Sequence, residues 1–253
     1  MSESPRSESR RTESPRTESL PAEAPREGHQ GTGPGAITPD GCAVDLYVRL
    51  PVRNEPDVVQ QAVPAGATLL ELGSGAGRVT GPLAARGFAV TAVDESRAML
   101  DRVEARVPGV RTVHSPIETL DLGEERFDAV LLASFLVHAP DPEKRQALLR
   151  ACRRHVADGG CVLVQREGDG WHTGLPREAS LGDGVSRVLS SEPVAPGVRS
   201  VHVEYVFPDA RWTQTFLSRP LDAAEFTAAL AGAGLALDTY LTEDGTWARA
   251  LPV

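Results

Sequence analysis

Lysine is almost missing from this chain of 253 residues: Lys144 is the only one, and every other basic residue is arginine. With alanine abundant, this is a high-GC codon signature, so a single arginine carries less functional weight than usual. Positive charge is also in deficit overall, with a formal net charge of -9 and a pI of about 5.2. That balance opposes the phosphate-neutralising surface nucleic-acid binding needs, and no nucleic-acid partner is expected. No run approaches the roughly 18 apolar residues of a membrane span, and the N-terminus lacks the apolar core of a signal peptide. No membrane partner is expected, and the chain reads as cytoplasmic. Cysteine is scarce: Cys42, Cys152 and Cys161 have neither zinc spacing nor the even count of a disulfide framework, so all three read as free thiols and no metal site is expected.

The first 26 residues repeat a loose five-residue unit, Ser2-Glu3-Ser4-Pro5-Arg6 and its variants, with almost nothing apolar to bury. Such a tract cannot offset its chain entropy, and residues 1–41 read as a disordered tail and Gly/Pro linker ahead of one domain, 42–253. From Thr68 onward strands alternate with helices, the pattern of a doubly wound α/β sheet. Strands are expected at 68–72, 89–93, 111–114, 127–133 and 161–165. The intervening helices run over 77–86 and 96–106 and from Asp141. A core of 67–167 results. Residues 168–220 change rhythm, with alternating segments 201–207 and 212–216 about a turn at 208–211, and read as an antiparallel insert. A helix at 222–232 and strands 235–242 and 246–251 close the chain (221–253).

Leu69-Leu70-Glu71-Leu72-Gly73-Ser74-Gly75-Ala76-Gly77 is a strand running through one carboxylate into three glycines. Seventeen residues past Gly77 the next strand ends in Asp94. A Gly-x-Gly-x-Gly turn brings backbone close to a ligand, and an acid on the neighbouring strand tip accepts from ribose hydroxyls. NAD wants a third glycine where Arg78 stands, and Glu71 suits a ligand with a positive end better than a diphosphate. The stretch resembles the first motif of class I S-adenosylmethionine (SAM)-dependent methyltransferases. The terminal hairpin resembles the sixth and seventh strands of that family's mostly parallel sheet, and the antiparallel insert after strand five resembles the lid of its small-molecule members.

The resemblance implies SAM as cofactor. Gly73 and Gly75 would face its methionine part and Asp94 its ribose, with Glu71, Gly77 and Glu95 also in the cofactor-binding set. Ile117 and Glu118 fall in the adenine-contacting stretch, and Ser134 follows the fourth strand. Tyr47 and Arg49 fall in a helix that covers the cofactor in relatives, Arg49 to pair with its carboxylate. The implied reaction is methyl transfer to nitrogen or oxygen of a small molecule or natural-product peptide. Positioning, worth roughly 10⁵ to 10⁸ M in effective molarity, outweighs the roughly 10² to 10⁴ of a general base. His138 is the first candidate base and His172 the second. Trp171, Tyr205 and Trp212 are candidates for an aromatic wall. Neither Asn-Pro-Pro-Tyr nor Asp-Pro-Pro-Tyr follows the fourth strand, which disfavours adenine-N6 and glutamine-amide chemistry. A NAD(P)-dependent oxidoreductase and a non-catalytic methyltransferase-like subunit stand as rivals, and oligomeric state is left open.

Overall fold

The computed structural model describes residues 25–253, so most of the repeat tract lies outside the described residues. In chain order the elements begin with β1 (Gln30–Thr32), α1 (Val44–Tyr47), α2 (Glu55–Ala62), β2 (Thr68–Leu72), α3 (Thr80–Ala85), β3 (Ala89–Asp94), α4 (Arg97–Arg106) and β4 (Arg111–His114). There follow β5 (Phe127–Leu132), α5 (Pro142–His155), β6 (Val156–Gln165), β7 (Arg177–Ser180), β8 (Val185–Ala195), β9 (Val198–Val206) and β10 (Arg211–Ser218). The chain closes with α6 (Ala223–Gly232), β11 (Leu235–Tyr240) and β12 (Trp247–Pro252).

Seven strands form the central sheet in the order β11-β12-β6-β5-β2-β3-β4. The five from β6 to β4 are parallel, and β12 and β11 join antiparallel. Both faces are covered, as parallel strands built by helical crossovers require. Leu70, Leu72, Val130, Leu132, Val162 and Val164 pack toward α5 and α6, against Leu148, Leu149, Phe226 and Leu230. Leu69, Leu131 and Leu163 face the other way, with Val58, Val59, Leu83 and Trp247. Helix starts follow their cap residues: Ser96 accepts from Met99 N at 3.3 Å, Asp141 from Glu143 N at 2.9 Å, and Asp222 forms a capping box with Glu225.

The expected α/β sheet with an antiparallel closing hairpin is the one observed. β2 and β4 occupy the expected residues, and β6 starts earlier than expected, at Val156. The insert is larger than a hairpin: β1-β10-β9-β8-β7 make a second, wholly antiparallel sheet. Its first strand corrects the reading of 28–41 as linker. Gln30–Thr32 pairs with Thr213–Thr215 of β10, Thr38 is buried, and Pro34 O accepts from Trp212 Nε1 at 2.8 Å. Gly and Pro density hid this strand because an open edge pairs through backbone N–H and C=O and asks little of side-chain pattern.

Candidate cofactor and acceptor site

The chain leaves β2, β3 and β4 in one direction along the sheet and returns through β5 on the other side of β2. The C-terminal ends of β2 and β5 therefore flank the switch point at which doubly wound sheets bind ligands. The glycine turn and the segment 134–138 emerge there. Gly73, Gly75 and Gly77 all have positive φ, at 72°, 55° and 80°. A Cβ on Gly73 would stand 3.0 Å from Leu136 Cδ1, a side-chain end that can give way, so it is the left-handed conformation that calls for glycine there. Val93 O accepts from both Gly73 N and Ser74 N at 2.9 Å, tying the turn to β3. At the end of β3, Asp94 accepts from Gly75 N and Ser96 N, each at 2.8 Å and each on a different carboxylate oxygen. Each oxygen keeps a second acceptor direction for a ligand hydroxyl. Burial pushes the Asp94 pKa up despite those two N–H bonds.

Ser74 Oγ is buried with no hydrogen-bond partner among the described residues. An orphaned hydroxyl inside a left-handed glycine turn, beside an acid with free acceptor capacity, fits a polar ligand laid across the turn. Tyr47 supports the same reading. Its Cδ1 lies 3.5 Å from the point a Gly75 Cβ would occupy, so the ring stands over the turn, with its hydroxyl accepting from Cys42 Sγ at 2.9 Å. Glu71 is buried beneath the turn, accepting from Thr80 Oγ1 at 2.6 Å, and burial raises its pKa to about 7. Arg78, in the place of a third glycine, pairs with buried Glu55 at 2.6 Å. Ile117 is buried, and Glu118 pairs with Lys144 at 3.0 Å. Glu95 is paired with Arg26, a contact from the N-terminal segment that no sequence spacing announced. Arg49 departs from expectation. It forms a two-point pair with Asp209 at 2.6 and 2.8 Å and stacks over Phe207 and Trp212, so its charge is committed to the β9–β10 turn rather than to a cofactor carboxylate.

Ser134 and Phe135 follow β5 with φ of 55° and 61°, a left-handed pair that costs about 1 to 3 kcal/mol per residue for side chains other than glycine. Gln165 Oε1 holds the turn by accepting from Ser134 N at 2.8 Å. His138, three residues on, is not placed as a base. It is 3 % exposed; its Nε2 accepts from Glu167 N at 2.9 Å, which leaves Nδ1–H to donate to Arg219 O at 3.0 Å. Burial lowers its pKa, and both nitrogens serve backbone. Changing His138 to alanine should therefore cost about 1 to 3 kcal/mol of stability in urea unfolding, by orphaning the Glu167 N–H. Full stability with lost turnover would restore His138 as a base.

His172 has different partners. Its Nε2 lies 2.8 Å from Glu167 Oε2 and its Nδ1 2.7 Å from Ser191 Oγ, a hydroxyl that accepts from Arg199 Nε at 2.8 Å. Glu167 is buried, also accepts from Ser218 Oγ at 2.8 Å, and has its pKa held down by the His172 bond in spite of burial. The network joins the loop after β6 to β8 and β10 of the second sheet. Glu167 escaped the sequence reading, although the same strand-end position that selected His172 applies to it. Trp212 and Tyr205 belong to a packed cluster with Phe207 and Leu46, leaving Trp171 alone of the three wall candidates beside the 134–138 segment. Among the described residues no group of three or more His, Cys, Asp or Glu is arranged to hold a metal ion. No helix among them is long and apolar enough to cross a membrane.

Residues 69–160, from β2 into β6, match the family model described as a methyltransferase domain. Over that stretch the chain is similar to that family, and the seven-stranded sheet that holds it is Rossmann-like. Its sequence is 34 % identical over 110 residues to a ubiquinone biosynthesis O-methyltransferase of Pseudomonas paraeruginosa (strain DSM 24068 / PA7), covering 42 % of this chain and 46 % of that protein. The chain thus spans about half the length of the curated relatives it matches. The sugar N-methyltransferase KedS8 from Streptoalloteichus sp ATCC 53650 shares the fold across 84 % of this chain and 93 % of its own, with a TM-score of 0.63 and 22 % identity. SAM-bound CalS10, an amino pentose methyltransferase from Micromonospora echinaspora, superposes with a TM-score of 0.59 at 25 % identity, covering 78 % and 88 % of the two chains. These two structural likenesses extend over more of the chain than residues 69–160.

Proposed function

We propose that this protein is a SAM-dependent methyltransferase that methylates nitrogen or oxygen of a small molecule or natural-product peptide. The observation that carries the reading is the left-handed glycine turn at the switch point, with Ser74 Oγ unpartnered and Asp94 braced against it. Gly73, Gly75, Gly77, Ser74 and Tyr47 would hold the methionine part, Asp94 and Glu95 the ribose, and Ile117 and Glu118 the adenine, with Ser134 at the opposite lip. Arg49 is left out of that set by its pairing with Asp209. Bound SAM would supply a methyl group on a sulfonium, which leaves as a neutral thioether. The chain's part is to align the acceptor, exclude water beneath the second sheet and receive a proton where the acceptor brings one. His172 is the residue proposed for that last task, with Glu167 keeping Nε2 and fixing the ring while Nδ1 exchanges its Ser191 Oγ partner for the acceptor, an exchange that His138, held by buried backbone on both sides, does not offer.

Calorimetric titration with SAM, S-adenosylhomocysteine and NAD tests the proposal. Binding of the first two in the micromolar range with none of NAD is the expected result. Tight NAD binding alone would overturn it in favour of an oxidoreductase.

A further inference from the structure

The chain has six phenylalanines and three tryptophans, all within the described residues. Phe88, Phe127, Phe207, Phe226, Trp212 and Trp247 are buried. The three left partly open, Phe135, Trp171 and Phe216, are in one place. Ring centroids are 6.1 Å apart for Phe135 and Trp171 and 6.3 Å for Trp171 and Phe216, with interplanar angles of 56° and 55°. They come from three separate elements: the strained turn after β5, the loop after β6, and β10. Along β10, alternation places Phe216 on the same face as Trp212, Gln214 and Ser218, all buried, while Phe216 itself stays partly open. Three large apolar rings, each partly open, stand together beside the switch point.

We infer that Phe135, Trp171 and Phe216 form the ring subsite of the methyl acceptor, and that the acceptor carries an aromatic ring. This rests on the methyltransferase reading of the same site. Rings tilted at these separations lie within the centroid range over which aromatic groups attract one another, and a further ring beside them extends the cluster. Charge decides against the other ligand such a cluster attracts, a cationic amine. The Arg177 guanidinium already lies 4.9 Å from the Trp171 ring centre, with Nη1 bonded to Trp171 O. Arg199 is bonded to Ser191, the partner of His172, whose ring meets Trp171 edge-on at 4.7 Å. Glu167, the carboxylate of that network, is engaged by His172 and Ser218. A cationic acceptor would meet the Arg177 guanidinium lying over Trp171, whereas an aromatic acceptor meets the three rings. Ser134 and Phe135 persist in the left-handed region at the mouth of this cluster, and backbone strain of that kind collects at ligand-binding positions.

Saturation-transfer NMR titrations of the full chain with p-cresol, 4-methylcyclohexanol and choline test the inference. The first two match in size and hydroxyl and differ in aromaticity, and choline brings the cation. Each aromatic pair favours the aromatic probe about 2- to 12-fold, so p-cresol should bind at least about 5-fold tighter than 4-methylcyclohexanol. Trp171→Leu and Phe216→Leu, at partly open positions, should each erase most of that preference while circular dichroism stays unchanged. Equal affinities for the two hydroxyl probes, tighter binding of choline, or a preference that survives Trp171→Leu would overturn the inference. Calorimetry with S-adenosylhomocysteine on the same samples separates the two failures. If it binds and the probes do not discriminate, the ring subsite alone is wrong; if it does not bind, the methyltransferase reading is wrong.

Discussion

Asp94→Ala should weaken SAM and S-adenosylhomocysteine binding about 10- to 150-fold, the equivalent of roughly 1.5 to 3 kcal/mol for a hydrogen bond to a charged group. Asp94 braces the turn as well as facing the ligand, since Gly75 N and Ser96 N both donate to it. Two controls separate those roles. Asp94→Asn keeps one oxygen for the N–H donors and loses the charge and the second acceptor. Ser96→Ala removes the cap accepting from Met99 N at 3.3 Å without touching the ligand side, so it should cost stability but little affinity. Calorimetry on all three variants, with urea unfolding alongside, reads both effects. Unchanged affinity in Asp94→Ala would mean that the ribose lies elsewhere.

The central sheet was legible because its signals are local: apolar runs of strand length, cap residues, and glycines where backbone turns left-handed. The glycine turn was legible for the same reason, and Asp94 followed from its place at a strand tip. What escaped depended on pairing between distant residues. Arg49 looked like a carboxylate partner until the β9–β10 turn brought Asp209 to it, 160 positions along the chain. His138 carries the right chemistry at the right strand end, yet packing gives one ring nitrogen to Glu167 N and the other to Arg219 O. A sequence marks which residues can titrate, not which of their atoms are already engaged. Phe135 and Phe216 carried no signal at all, since an open phenylalanine and a core phenylalanine read alike until burial is known.

Glu71→Gln should leave the protein more stable at pH 8, by up to about 3 kcal/mol, while changing little at pH 4.5. Glu71 is 4 % exposed, and burial outweighs both the Thr80 hydroxyl and the Arg78 charge in raising its pKa from 4.5 to about 7. The folded state therefore keeps a proton that the unfolded chain releases between pH 4.5 and 7. With more protons bound to the native form, stability falls as pH rises through that window and levels off above it. The distance from 4.5 to about 7, at about 1.4 kcal/mol for each tenfold change in proton affinity, sets the size. Glutamine keeps the oxygen that accepts from Thr80 Oγ1 and never ionises, so its contribution does not change over the same range. Urea unfolding of the ligand-free protein at pH 5, 6, 7 and 8 reads the difference, and parallel profiles for parent and variant would show that Glu71 ionises normally. The same acid links stability to ligand choice. A cationic ligand over the glycine turn favours the ionised form of Glu71, so SAM binding at pH 6 should release protons, seen as a dependence of calorimetric heat on buffer ionisation enthalpy. That dependence should vanish in Glu71→Gln. Its persistence there would place the released proton on another group.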